Sequence, residues 1–263
     1  MTVATYGLFI GGEWETPHDT MAVNHKYTGE PVGYVARASR DDVRRAVASA
    51  EAALKQTPFP PNDRYKVLLR AAQLIEERKE LFTRTLMAEG GKVRKDAALE
   101  TDRAIETFTV SAEEAKRITG HEVPVAGQAG ADNRLAFTIR VPVGVIAAIT
   151  PFNFPINLVA HKIGPALAAG NSVVLKPAST TPLCAVLLCQ VLHDAGLPPG
   201  RLNLVTGSGA SVGEWLLAEE RVGMYTFTGS TEIGLQVKAK SGLRRCTLEL
   251  GSNAANLVFA DAD

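Results

Sequence analysis

The sequence predicts an α/β fold: a five-stranded parallel sheet with helices on both faces, preceded by a helical segment and a β-hairpin arm. Three observations predict it. From Gly144 onward, short apolar runs alternate with amphipathic stretches, which is the pattern of repeated βα units. Several of those runs are continuously apolar, as in strands buried on both faces. Before Gly120 the apolar residues recur mostly at helical spacing.

In chain order, Leu8-Phe9-Ile10-Gly11-Gly12-Glu13-Trp14 reads as a short hairpin about a Gly-Gly turn. Ser39-Arg40-Asp41-Asp42 offers a capping hydroxyl with an acid three residues on. Val43, Ala46, Val47, Ala50, Ala53 and Leu54 then continue a helix. Pro58, Pro60 and Pro61 break it, and Asn62 is expected to cap a second helix through Val67, Leu68, Ala71, Ala72 and Ile75. Gly90-Gly91 stops the next segment. A long helix through Ala97, Ala104, Ile105, Phe108, Ala115 and Ile118 is expected to end at Gly120. Residues 1–120 read as the amino-terminal helical part, and the polar, Gly-rich residues 121–143 read as a β-arm, either an oligomer contact or a plain surface loop. Residues 144–263 form the sheet. Its strands are expected at Val145–Ile149, Val173–Leu175, Leu202–Val205, Tyr225–Phe227 and Cys246–Leu250, with helices over Asn157–Ala169, Pro182–Ala195, Val212–Ala218 and Glu232–Ser241.

Composition narrows the function. Lys+Arg and Asp+Glu are 28 each, which gives no electrostatic reason to expect nucleic acid or an anionic membrane as partner. No apolar run is long enough to span a bilayer, and the first residues lack the pattern of a secretory signal. The three cysteines, Cys184, Cys189 and Cys246, are few and odd in number, which fits a reducing compartment such as the cytoplasm. The five histidines show no metal-ligand spacing.

Parallel sheets bind ligands beyond the carboxyl ends of their strands. Five candidate segments stand there: Thr150-Pro151-Phe152-Asn153-Phe154-Pro155, Lys176-Pro177-Ala178-Ser179, Thr206 to Gly213, Thr228-Gly229-Ser230-Thr231-Glu232-Ile233-Gly234, and Glu249-Leu250-Gly251-Ser252-Asn253. Gly229 and Ser230 open a helix, where free N–H groups and the dipole attract an anion. Gly209 and Gly213 are placed alike one unit earlier, and Lys176 can reach ribose hydroxyls or phosphate. The group suggests a phosphate-bearing ligand, although the glycine spacing is not the G-x-G-x-x-G fingerprint. Asn153 is a neutral donor between two prolines, as an oxyanion hole requires. Glu249 closes an apolar strand, where desolvation is expected to raise its pKa and suit it to a base. His161 and Lys162 read as a satisfied surface or interface pair, with substrate contact for Asn157, His161 and Lys162 as the sharper alternative. Glu89-Gly90-Gly91-Lys92 reads as a helix stop.

Taken together, the segments Thr150–Pro155, Gly164-Pro165-Ala166-Leu167-Ala168-Ala169-Gly170-Asn171, Leu175–Ser179, Phe227–Gly234 and Leu248-Glu249-Leu250-Gly251, in this order, resemble the NAD(P)-dependent aldehyde dehydrogenase superfamily, amino-terminal cofactor-binding portion. The resemblance implies a Rossmann-like domain, an aldehyde substrate, and homo-oligomers when complete. It implies that Asn153 donates to the oxyanion and Glu249 activates water. Lys176 would hold the adenosine ribose, Gly229 and Ser230 the pyrophosphate. Ile149, Thr150, Pro151, Gly209, Phe227 and Ile233 would line the groove, with Phe152, Ser179, Gly213, Thr228, Leu250 and Gly251 beside them. The family's cysteine nucleophile would follow in a catalytic domain absent from this chain, so the chain alone is expected to bind cofactor without oxidising aldehydes. The competing expectation is a naturally short, inactive nucleotide-binding or oligomerisation module. A helical Tyr-x-x-x-Lys reductase pair is not found in the second region. The family often has glutamate where Ser179 stands; a carboxylate there would repel a 2′-phosphate, so Ser179 leans the expected cofactor toward tolerance of NADP as well as NAD.

Overall fold

The computed structural model describes residues 3–262. The chain begins with five short strands: β1 (Thr5–Tyr6), β2 (Phe9–Ile10), β3 (Glu13–Trp14), β4 (Thr20–Asn24) and β5 (Pro31–Ala36). The hairpin expected at Leu8–Trp14 is β2–β3, with Phe9 opposite Trp14. The helical reading of the amino-terminal part fails for β1, β4 and β5, which pair as a separate sheet in the order β1-β5-β4. A two-residue strand has no periodicity to read, and β1 is defined only by its parallel partner about thirty residues later, Thr5 opposite Tyr34.

Helix α1 (Arg40–Gln56) starts with the expected reciprocal cap. The Ser39 hydroxyl accepts from the Asp42 amide at 3.2 Å, and the Asp42 carboxylate accepts from the Ser39 amide at 2.8 Å. Helix α2 (Pro61–Glu77) departs from expectation: it begins at Pro61, and Asn62 lies inside it rather than capping it. Proline suits a first helical position because its fixed φ is already helical and its missing N–H would have no partner there. Helix α3 (Lys79–Gly90) ends at Gly91, whose φ of 68° is left-handed. Helix α4 (Arg94–Ala115) stops five residues before Gly120, and Ile118 is exposed rather than part of its buried face. Strands β6 (Glu122–Val123) and β7 (Ala136–Phe137) then pair antiparallel.

The second region follows as β8 (Val145–Ile149), α5 (Asn157–Ala168), β9 (Ser172–Lys176), α6 (Leu183–Asp194) and β10 (Leu202–Leu204). A π-helical turn, Gly209–Gly213, runs into α7 (Glu214–Ala218), and β11 (Val222–Thr228), α8 (Thr231–Ser241) and β12 (Arg245–Glu249) complete it. The five expected strands are all present and mutually parallel. The sheet has seven strands rather than five, in the order β12-β11-β8-β9-β10-β2-β3. The amino-terminal hairpin adds the other two: β2 pairs antiparallel to β10, and the Asn203 side chain accepts from the Gly11 amide at 2.9 Å.

The apolar strands are covered on both sides. Ile146 and Ala148 of β8 pack with α2, α4, α5 and α6, while Val145 and Ala147 pack on the opposite face with α1 and α7. Successive residues point to opposite faces, so a strand sandwiched between helices must be apolar at every position. Among the described residues, no helix is long and apolar enough to cross a membrane.

Candidate functional site

The parallel strands run in the order β12-β11-β8-β9-β10, so the direction of crossover reverses between β8 and β11. That is where an open α/β sheet leaves a crevice beyond its carboxyl ends. A cavity of about 360 Å³ opens there. Its walls include Ile149, Lys176, Gly209, Gly213, Phe227 and Ile233, six of the residues picked out from the sequence. Thr150, Pro151, Phe152, Ser179, Thr228, Gly229, Ser230, Leu250 and Gly251 lie outside its lining. Sequence reading missed Ala210, Glu214, Leu217, Gln236 and Val237 on the walls. The i, i+3, i+4 spacing of Ile233, Gln236 and Val237 on α8, and the placing of Gly213 and Glu214 four and three residues before Leu217, could have pointed to them.

Lys176 is the cavity's buried cation, with 3% of its surface exposed. Its ammonium donates to the Pro177 carbonyl at 2.9 Å and has no carboxylate partner among the described residues. Burial brings its pKa down to about 8. At the neighbouring strand ends the Thr150 and Thr228 hydroxyls are buried without a partner. Each unsatisfied group costs about 1–3 kcal/mol, so both are available to a bound polar group. Gly209 and Gly213 face open space where a Cβ would stand. A Cβ on Gly229, in contrast, would lie 2.5 Å from the Phe227 ring, so only glycine lets the α8 turn approach that strand. Ser230 caps α8, accepting from the Ile233 amide at 3.4 Å. On the rim Glu214 is ion-paired with Lys240.

Ser179 is half-buried in the loop after β9. That loop is held by residues to which sequence reading assigned no such role. Lys26 donates to the Thr180 carbonyl at 2.9 Å. Glu89, fully buried, accepts from the Leu183 and Cys184 amides at 2.7 and 2.8 Å and so caps α6 from another helix. Burial pushes its carboxyl up to about 7, against the pull of those amides. The Glu89–Lys92 segment therefore does more than stop a helix.

Asn153 and its neighbours Phe152 and Phe154 are exposed in the loop between β8 and α5. Glu249 ends β12 and is exposed, which corrects the expectation of a desolvated carboxylate: alternate residues of this edge strand face solvent. Lys162 corrects the surface-pair reading. It is buried, donates to the Thr226 hydroxyl at 3.1 Å, and burial lowers its pKa to about 8 while the Glu249 charge opposes the shift. His161 is exposed and shares a groove with Arg103, Thr107 and Asn157. Cys184 and Cys189 are fully buried and their thiols are pushed well up, so neither is a ready nucleophile. Cys246 is half-buried and packs against the core on the α1 side of the sheet.

These features define a Rossmann-like α/β domain with a polar-floored cleft at its topological switch point. The particular family follows from comparison: the model of the aldehyde dehydrogenase family matches residues 14–263, and the chain belongs to that family. It is 55% identical over 261 residues to a 3-sulfolactaldehyde dehydrogenase of Priestia aryabhattai, covering 99% of this chain and 54% of the relative. It is 38% identical to a lactaldehyde dehydrogenase of Methanocaldococcus jannaschii, covering 97% of this chain and 55% of the relative. Among solved structures it resembles the NADP-dependent glyceraldehyde-3-phosphate dehydrogenase of Bacillus halodurans C-125 complexed with NADP, with a TM-score of 0.90 and 34% identity over 94% of this chain and 53% of that one. The chain thus spans about half the length of the curated relatives it matches.

Proposed function

We propose that this chain is the NAD(P)-binding half of an enzyme that oxidises an aldehyde to a carboxylic acid through a cysteine thioester. The observation that carries the reading is the cleft at the switch point, with one buried unpaired ammonium on its floor and apolar walls, in a member of this family. The residues suit a dinucleotide. Ile149, Phe227, Ile233 and Val237 offer flat apolar contact, Lys176 has donors to spare for ribose hydroxyls, and the side-chain-free Gly209 and Gly213 leave room. Bound nicotinamide would supply the two-electron oxidant. The chain's own residues stabilise developing charge and remove a proton: the Asn153 amide donates a hydrogen bond to the substrate oxygen as negative charge develops there, and Glu249 accepts a proton from the water that hydrolyses the thioester. The nucleophile comes from outside these residues, because Cys184 and Cys189 are sealed in the core and Cys246 packs against it.

The substrate we assign is a small 2-hydroxyaldehyde. 3-Sulfolactaldehyde and lactaldehyde share that group, and the relatives named for them match 99% and 97% of this chain. The three unpaired cysteines are consistent with a cytoplasmic setting. The arm over 121–143, which carries exposed Leu135, Phe137, Ile139 and Val141, is the element we assign to oligomer contact. Residues 1–263 alone are expected to give no NAD(P)-dependent oxidation of either aldehyde, and a protein carrying both this chain and the remaining half of its relatives is expected to give it. Steady oxidation by residues 1–263 alone would overturn the assignment of the nucleophile.

For the cofactor, we assign tolerance of NADP to Ser179. Ser179→Glu is expected to weaken NADP+ binding at least about tenfold, equivalent to about 1.4 kcal/mol, with NAD+ affinity kept. Equal NADP+ affinities in titrations of the two proteins would sink the assignment.

A further inference from the structure

The loop that carries Asn153 is gripped by an ion pair between the buried Glu100 of α4 and the half-buried Lys92 just before that helix. Glu100 has 1% of its surface exposed, and its carboxylate takes three donors. One oxygen accepts from the amides of Ile156 and Asn157, at 3.0 and 3.2 Å, where the loop enters α5. The other meets the Lys92 ammonium at 2.6 Å. Lys92 also sits over the Phe154 ring, 3.8 Å from its centroid. The residue next to Asn153 and the two backbone amides after Pro155 are thus all held by one pair of side chains. A buried ion pair is a poor source of stability, since desolvation offsets most of its attraction. Two apolar residues would fill the same space, but they would leave the two amides without an acceptor and Phe154 without its cation.

We infer that Glu100, with Lys92 as its counter-ion, is the positioning residue that aims the Asn153 amide at the reacting oxygen. The inference rests on the proposed role of Asn153. The ammonium fixes the ring on one side of Asn153 and the carboxylate fixes the backbone on the other, so the amide is preorganised rather than free to swing in an exposed loop. Misplacing a catalytic group by about 1 Å can cost on the order of 100-fold in rate, whereas the nucleotide cleft lies among other elements and does not include these residues.

The test uses the full-length enzyme with 3-sulfolactaldehyde as substrate. Glu100→Ala is expected to lower kcat by about 10- to 100-fold, with aldehyde KM and NAD(P)+ affinity within about threefold of wild type. Glu100→Gln, which keeps an acceptor for the two amides, is expected to recover most of the rate. Should Glu100→Ala not fold, Lys92→Met is read the same way. It removes the ammonium from Phe154 and Glu100 at nearly constant length, and a kcat at least about fivefold lower with nucleotide affinity kept is expected. An unchanged kcat in the folded variant, or a loss confined to KM or nucleotide affinity, overturns the inference. Asn153→Ala separates the two claims. If it retains activity, the reading of Asn153 fails and the positioning role fails with it. If it is inactive while Glu100→Ala keeps its kcat, only the positioning role fails.

Discussion

Replacing Asn153 with alanine in the full-length enzyme is expected to lower kcat for aldehyde oxidation by about 10²- to 10³-fold, the usual cost of one oxyanion donor. Aldehyde KM and nucleotide affinity should hardly move, because the amide is needed where negative charge develops and not in the ground state. The side chain is well placed for such a role. It is exposed in the loop leaving β8, while the backbone on either side is tied down: the Thr150 amide donates to the Lys176 carbonyl at 3.1 Å, and the Ile156 amide donates to Glu100. Truncating an exposed side chain leaves no cavity, so stability should stay within about 0.5 kcal/mol. Steady-state kinetics with a thermal melt of the same preparation checks both halves of the expectation. A variant with wild-type kcat would remove Asn153 from the mechanism.

Gly209→Leu is the complementary experiment, on binding instead of rate. The glycine starts the π-helical turn at the mouth of the cleft, and nothing stands within 4 Å of where its Cβ would be. A Cβ there meets no protein atom, and leucine favours helical backbone over glycine by up to about 1 kcal/mol. The folded chain should therefore lose no stability. The side chain would instead occupy part of the 360 Å³ cavity that Gly209 borders. We expect NAD+ and NADP+ affinity to fall at least about tenfold, equivalent to about 1.4 kcal/mol. Calorimetric titration with a melting curve distinguishes this result from unfolding. Unchanged affinity in a folded variant would place the nucleotide elsewhere.

The parallel sheet was legible because burial on both faces leaves a strong mark: Val145–Ile149 and Val173–Leu175 are apolar at every position. Caps were legible where a side chain does the capping, as at Ser39, and less so where proline geometry does it, as at Pro61. The small sheet of β1, β4 and β5 was not legible: two-residue β1 is defined only by its partner about thirty residues on, and the β4–β5 hairpin mixes exposed and buried positions and so leaves no continuous apolar run. The same distinction runs through the site. Lys176 and Phe227 stand at the carboxyl ends of β9 and β11 and Gly209 opens the turn after β10, so topology alone directs them to the cleft. Glu89 and Glu100 reach loops about 95 and 56 residues away in sequence, and nothing in their own neighbourhood marks them as caps for α6 and α5. Burial was misjudged in both directions. Lys162 looked like a surface residue but is turned inward to Thr226, and Glu249 looked enclosed but stands on an edge strand open to solvent.

The crystal structure of residues 1–263 soaked with NADP+ tests directly whether this cleft holds the nucleotide. Nucleotide density is expected in the cleft between β8, β11 and α8, with the Lys176 ammonium within hydrogen-bond distance of the adenosine ribose and Gly229 and Ser230 beside the pyrophosphate. Nucleotide bound at another place on the chain, with this cleft empty, would contradict this assignment.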